Sequence, residues 1–540
     1  WSAGPMGAPC AEPEVNTRDV PQIMEPADIA AVVAGFGTAA ATAMAAGCDG
    51  VEINAGQHSL VRQFLSGLTH PRDDGYGEDR LRFAREVIDA VRRSTGDGLV
   101  ALRLSCDELA PWAGLTPESA AEVAAELAPT VDLLTVVKGS IFSVPDTRPD
   151  SHTDTGFNLD LARDIRVAVA GAVPVAVQGS IVDVGQAEWA IDDGRVDLVE
   201  MTRAQIADAE LVAKAGVDPA TIRPCLRCNQ LCQVRDNRNP IVSCVVDPRS
   251  GHELTDPAPG TPAAAPHDVL VVGGGPAGLE AARVAALAGH RVRLIESADE
   301  LGGMVRVAAA GAGREPLAAA VDWLEAEVRR LGVTVVTGEE VDAAAIDGFD
   351  GSVVVATGSV AGPLPVVPAP GATVLTAAEV LAAARDDRLD DVVPVGEIVV
   401  LDPVGGPIAI SVAELLAPLG RTVRLVTGDH FAGQMLALTG DLAPANVRLA
   451  RLGVDIVARS VVRAIGPDGV EVEQRFSGER CTLAGTVVDA GPRLPDDGPA
   501  ATAAARHARV GDAVAPRTIH EAILEARRAV ADLDRVGVVA

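Results

Sequence analysis

Four cysteines, Cys225, Cys228, Cys232 and Cys244, follow the order C-x2-C-x3-C-x11-C and make up half of the chain's eight. A [4Fe–4S] cluster needs four thiolates around one compact inorganic core, and short spacings let one loop supply three of them. A tetrahedral zinc knot also uses C-x2-C pairs. Two disulfides are the weaker alternative, because a 540-residue chain needs no such staple. Cys10, Cys48, Cys106 and Cys481 are isolated, as in a reducing cytoplasm. The choice between iron and zinc turns on what lies downstream.

About fifty residues on, the apolar run 269–272 leads into Gly273-Gly-Gly275-Pro276-Ala277-Gly278 and straight into an Ala-rich helix. In such a G-x-G-x-x-G unit, Gly273 permits the tight turn. Gly275 lets the backbone approach a pyrophosphate, and Gly278 lets helix and strand pack closely. The helix amino terminus then turns its free N–H groups to the phosphates. The next strand ends in Glu296, where a ribose hydroxyl is held. Strand, glycines, helix and acid together make a strong dinucleotide signal, to which Gly303 belongs as a further cofactor-binding candidate.

Two later signals specify FAD. A strand ends in Ala-Thr357-Gly358, and another ends in Gly511-Asp512. Both resemble signatures of two-dinucleotide flavoprotein reductases, where the Asp meets the flavin's ribityl chain. A flavin nearby makes iron the better reading of the cysteines. Between these signals lies a second repeat, 398–410, with Asp402 at the first glycine position and Ala409 or Ile410 at the third. The strand 421–427 ends without a ribose acid or an arginine cluster. This unit is an NAD(P)-type domain by position, and the sequence leaves NAD(P)H binding open against a purely structural role.

The amino-terminal half alternates strands near 51–53, 100–104, 133–137, 175–177 and 198–201 with helices near 79–94, 117–128, 158–169 and 184–193. Such alternation predicts parallel strands with crossover helices. Polar residues cluster just after the strands, the face that carries chemistry in a (β/α)8 barrel. A barrel closes with eight units and five are visible, so three more strands are expected before Trp1.

The predicted organisation is therefore α/β throughout: the carboxy-terminal part of a TIM barrel over 1–220, the cluster segment 221–256 and a Pro/Ala/Gly linker 257–267. The FAD domain follows over 268–370, then the degenerate NAD(P)-type domain 371–484 and the FAD-domain return 485–540. A net charge of −30 argues against nucleic acid, whose phosphates need basic patches, and against anionic membrane surfaces. The run 29–48 carries no charge and has the length of a membrane span, but its Ala, Gly and Thr content favours a helix buried against a sheet.

Taken together, the barrel loops, cysteine spacing and FAD signals resemble the Old Yellow Enzyme-like iron–sulfur flavoproteins, which include 2,4-dienoyl-CoA reductase and trimethylamine dehydrogenase. Asp49-Gly-Val-Glu-Ile-Asn54, Gln63-Phe-Leu-Ser66, Asp74-Gly-Tyr-Gly77 and Arg103-Leu-Ser105 carry the likeness. The run 53–60 is closer to members associated with mycofactocin gene clusters. The resemblance implies FMN in the barrel, taking hydride and exchanging electrons with FAD through the cluster. It implies that Arg103 neutralises charge on the reduced flavin, and that Gln178, Gly179, Ser180, Thr202 and Arg203 hold the FMN phosphate. An ordinary strand-end salt bridge is the other reading of Arg103.

Where the family has a histidine pair and then a tyrosine proton donor, this chain has Asn54, Gln57 and Ser59. Amides can donate to an oxyanion. Serine is a poor acid beside a phenol, so Ser59→Tyr is expected to raise any alkene reduction. His58 is adjacent and titrates near neutral pH in ordinary surroundings. The leading reading is a cytoplasmic flavin-dependent oxidoreductase moving hydride between a small organic substrate and FMN, with cluster and FAD as relay. An electron-transfer component serving a partner redox protein or peptide cofactor is the alternative, and a homo-oligomer is compatible with either.

Overall fold

A computed structural model describes residues 6–15, 18–233, 241–256, 258–504 and 507–536, the last with side chains to 533. Residues 234–240 of the cluster segment, Pro257 at the head of the linker, 505–506 and the chain end therefore lie outside the described residues. The chain packs as two units. The first holds Trp1–Pro149 and Thr153–Thr202, and the second holds Asp150–His152 and Arg203–Ala540. Thr202 is the last residue of the first unit on this packing.

The first unit is built on five parallel strands, Gly50–Ala55, Leu99–Ser105, Leu133–Val137, Val175–Gln178 and Leu198–Glu200, paired in chain order. Ile53, Leu102, Leu104, Leu134, Val136, Val175 and Val177 alternate onto one face and are buried. Helices between the strands cover that face, and their starts are written into the sequence. Pro117–Leu127 opens with Pro at its first turn and a reciprocal cap between Thr116 and Ser119. Val184–Asp192 opens where Asp183 accepts the Gln186 N–H at 2.8 Å.

The apolar run near the amino end folds as the helix Pro26–Ala45, long and apolar enough to cross a membrane by length and composition alone. The expectation of burial fails here: only Ile29, Gly37 and Ala40 are buried. It packs mainly on the helix Arg82–Thr95 and also touches the strand Gly50–Ala55. A side chain at Gly37 would meet the carbonyl oxygen of Ala90 at 3.2 Å, so glycine sets how closely the two helices approach.

The second unit contains two parallel sheets, each covered on both faces. In the first, the spatial order is Thr334–Thr337, Arg291–Glu296, Asp268–Val272, Ser352–Val355, Ala508–Arg509. Val269, Val271 and Leu294 face the helices Pro276–Leu287 and Ala318–Arg330, while Leu270, Val272 and Ile295 face Ile346. Strands buried on both sides read as continuous apolar runs, which is why they were legible. The second sheet runs Val374–Thr376, Thr486–Asp489, Glu397–Asp402, Thr422–Thr427, Asp455–Val457. The carboxy-terminal helix Ile519–Val536 returns to the first sheet's helix, where Arg527 Nε meets the fully buried Glu280 Oε1 at 2.5 Å.

Candidate functional site

In the first unit, the strand face opposite the helices is polar. Asn54 pairs in register with Arg103, Arg103 with Thr135, and Gln178 with Glu200. Glu52 sits two residues before Asn54 and therefore on the same face. Arg103 Nε lies 2.7 Å from Glu52 Oε1, and its Nη1 lies 3.1 Å from Glu200 Oε2. Burial alone would lower the Arg103 pKa, but the two carboxylates more than reverse this and hold it above its usual value. Arg103 is thus a doubly paired strand-end arginine. Glu52 and Glu200 were not singled out from sequence, although their inward parity with Asn54 and Gln178 was the available signal.

The loop after the first of these strands brings three candidates together. Asn54 Oδ1 accepts the Gly56 N–H at 2.8 Å. Gln57 Nε2 lies 3.3 Å from the Lys138 carbonyl and 3.5 Å from Gln178 Oε1, tying three strand ends into one rim. A side chain at Gly56 would come 2.9 Å from Asn54 Oδ1 and 3.3 Å from the Arg103 stem, so glycine leaves room for both there. His58 is exposed. Desolvation and the charges of Arg148 and Arg62 push its pKa down. Ser59 Oγ accepts the Arg62 N–H at 3.1 Å and caps the helix Leu60–Leu65. The chain's single tyrosine, Tyr76, is buried and donates to Glu86 Oε2 at 2.9 Å.

At the phosphate end, Gly179 is forced by the approach of Asn158, whose Cβ would lie 2.7 Å from an added side chain. Asn158 Nδ2 donates to the Gln178 carbonyl at 2.7 Å, and Ser180 adopts a φ of 52°. A glycine-containing loop bent this sharply at a strand's carboxyl end suits the phosphate of FMN. Thr202 opens the helix Thr202–Ala207. In the second unit Arg203 Nη1 meets Asn229 Oδ1 at 2.6 Å, beside the cysteine segment.

All eight cysteines are free of disulfides. Cys225, Cys228 and Cys244 pack against Leu226, Val245, Val246 and Ala320, an apolar wall. Arg227 and Asn229 take left-handed φ values of 53° and 52°, which coil the chain tightly between the first three cysteines. Burial raises these thiols, Cys244 to about 11, and their mutual charges raise them further. Amides of Arg227, Gln230, Val246 and Asp247 oppose this by hydrogen bonding to sulfur. Thiols near enough for their charges to interact, apolar surroundings and peptide N–H groups aimed at sulfur suit the donor set of an iron–sulfur centre.

The nucleotide candidates of the first sheet also converge. An added Cβ at Gly273 would come 2.3 Å from the Ala356 carbonyl oxygen and 3.2 Å from the Thr357 nitrogen. One at Gly278 would come 1.9 Å from the Gly273 carbonyl oxygen. A Cβ added at Gly275 would meet no described atom within 4 Å, whereas one at Gly303 would come 3.3 Å from the Gly275 Cα. Two glycines are thus fixed by packing and one by an open space, the cradle a pyrophosphate fills. Pro276 opens the helix, and Ala277 lies 2.7 Å from the Cβ that Gly511 lacks.

Glu296 Oε2 accepts the Gly274 N–H at 2.6 Å at this rim. Gly358 has a φ of 85° and open space, while Thr357 Oγ1 donates to the Asp496 carbonyl at 2.6 Å. Asp512 Oδ2 accepts from Ser359 Oγ at 2.9 Å, and Arg493 Nε reaches the same hydroxyl at 2.9 Å. Arg493 was missed in the sequence because the strand pairing that brings it here joins positions 134 residues apart. The arrangement fits FAD.

Residues 2–218 match the NADH:flavin oxidoreductase / NADH oxidase family, and residues 267–511 match the pyridine nucleotide-disulphide oxidoreductase family. A probable N-methylproline demethylase of Rhizobium meliloti is 33% identical over 87% of this chain and 70% of its own length. The N,N-dimethylglycine/sarcosine dehydrogenase of Chromohalobacter salexigens is 31% identical over 95% of this chain and 81% of its own. Histamine dehydrogenase from Rhizobium sp. 4-9 superposes with a TM-score of 0.89 at 27% identity, over 98% of this chain and 80% of that one. The protein belongs to the NADH:flavin oxidoreductase / NADH oxidase family, as a flavin-dependent oxidoreductase whose TIM-barrel part and dinucleotide-binding module use FMN, FAD and a [4Fe–4S] centre.

Proposed function

We propose that the protein oxidises a small amine at a C–H bond next to nitrogen, and that the electrons leave by way of the cluster and FAD. The observation carrying this reading is Ser59: its hydroxyl is committed to a helix cap, and the only tyrosine is held by Glu86. Reducing an alkene requires an acid beside the second carbon. Oxidising an amine does not. The C–H bond gives up its hydrogen with both electrons, an iminium ion remains, and water converts it to a carbonyl compound and the dealkylated amine.

Bound FMN supplies the two-electron acceptor. The chain's own part is to orient the substrate with the amides of Asn54 and Gln57 and to fix the rim through Gln57. Arg103 balances negative charge on that face. A net charge of −30 draws cationic amines toward the molecule. Two of the similar proteins named above are called after methylated amines and a third after histamine, which supports the same class.

Anaerobic rapid mixing tests the reading. An N-methylated amino acid or a related amine should bleach the flavin absorbance, whereas an activated alkene should not re-oxidise prereduced protein at a useful rate. Fast re-oxidation by the alkene, with no bleaching by any amine, would reverse the assignment. If neither class reacts, the alternative of an electron-transfer component for a redox partner is favoured.

A further inference from the structure

The second parallel sheet resembles a dinucleotide-binding unit, yet its phosphate end is filled by the chain itself. We propose that this sheet takes no nicotinamide dinucleotide, because the Asp402 side chain occupies the amides that would receive the pyrophosphate. In the first sheet, Gly273–Gly275 join strand to helix and leave open space at Gly275. In the second, Asp402 ends the strand Glu397–Asp402, and the helix Pro407–Leu416 begins five positions later.

Asp402 is 2% exposed, and its Oδ1 accepts the Gly405 N–H at 2.8 Å. Among the described residues Oδ2 has no hydrogen-bond partner. Burial raises the Asp402 pKa, against the pull of the Gly405, Gly433 and Val404 amides and with the help of the nearby Asp429 charge. The loop amides that face phosphate in a G-x-G-x-x-G turn are here turned onto an internal carboxyl group.

Two more acids crowd the same edge. Asp489 ends the neighbouring strand, in register with Leu401, and is 8% exposed, its Oδ1 unpartnered among the described residues. Asp429 follows the strand on the other side, and a side chain at Gly405 would come 2.7 Å from its Oδ2. The third glycine position holds Ala409, itself buried. A doubly charged pyrophosphate brought here meets three acids, in surroundings that screen charge poorly. Helix and sheet persist while the anion site has been replaced from within.

The test is titration of the FAD-replete protein with NADH and, separately, NADPH, followed by calorimetry and by protein fluorescence. The wild type should show no saturable binding up to about 1 mM. Saturable binding that Gly406→Val abolishes, in a variant with unchanged melting and full FAD, would overturn the proposal. Binding that survives Gly406→Val would lie elsewhere on the molecule and leave the claim for this sheet standing. Asp402→Gly, checked for folding by its melting midpoint, should bind NADH at least tenfold more tightly than wild type. No gain in a folded Asp402→Gly variant would overturn the role given to Asp402. Should that variant not fold, the wild-type titration decides.

Discussion

The hydroxyl of Ser59 accepts the backbone N–H of Arg62 at 3.1 Å and donates to the Gly56 carbonyl at 3.0 Å. Ser59 therefore ends the loop that follows Asn54 and carries Gln57, and begins the helix Leu60–Leu65. Ser59→Tyr removes a cap worth about 1 kcal/mol. Chemical denaturation should show that loss, and Ser59→Asp, which can cap, should not. Alkene reduction should not rise in Ser59→Tyr, in contrast to what the family comparison of this position implies on its own. A clear rise without loss of stability would show that the cap is dispensable and the phenol well placed.

The cysteine segment gives a second test. Cys228→Ala should remove the iron and acid-labile sulfide, because Cys228 is half-buried and lies within charge range of Cys225, Cys232 and Cys244. FAD should stay bound, since the packing of the glycine cradle rests on Ala356, Thr357 and the Gly273 carbonyl. Iron retained at full stoichiometry in Cys228→Ala would take this residue out of the ligand set.

A Cβ at Gly275 would meet no protein atom within 4 Å, so Gly275→Val should fold. Its side chain would stand where the pyrophosphate approaches. The variant should therefore keep its melting behaviour without ligand and lose its adenine-containing flavin. Full FAD in Gly275→Val would move the site away from this loop.

His152 sets an alkaline limit on stability. Its Nδ1 lies 2.9 Å from Asp150 Oδ1 and its Nε2 lies 3.4 Å from Glu414 Oε2. Burial alone would lower the His152 pKa, but Asp150 and Glu414 raise it to about 9. A raised histidine stabilises fully below its unfolded value, roughly 6.5, and the contribution is lost as pH rises through about 9. The full effect is on the order of 3 kcal/mol. The melting midpoint should fall between pH 7 and 10, and His152→Gln should flatten that limb. An equally steep fall in His152→Gln would assign it to another group.

The parts of the fold that follow from local pattern were readable in the sequence. The inner strands of both halves are apolar runs because both faces or one whole face must be covered, and Gly273 and Gly278 mark a turn where a side chain would clash, with open space kept at Gly275. What escaped depends on distant pairing. Arg103 meets Glu52 and Glu200, positions 51 and 97 residues away, and nothing local marks either acid as its partner. Asp402 was legible as a missing glycine but not as a group that accepts the Gly405 amide. The helix Pro26–Ala45 was misjudged because apolar content signals what a helix can bury, not whether this chain covers it.

The account rests on flavin and cluster sharing electrons within one chain. Its most direct test is anaerobic stepwise reduction of the purified protein, followed together by optical and low-temperature EPR spectroscopy. The flavin bands should bleach while the EPR signal of a reduced [4Fe–4S] centre grows, the added equivalents dividing between the two. Flavin that bleaches fully with no paramagnetic cluster at any step, in protein containing zinc instead of iron, would contradict it.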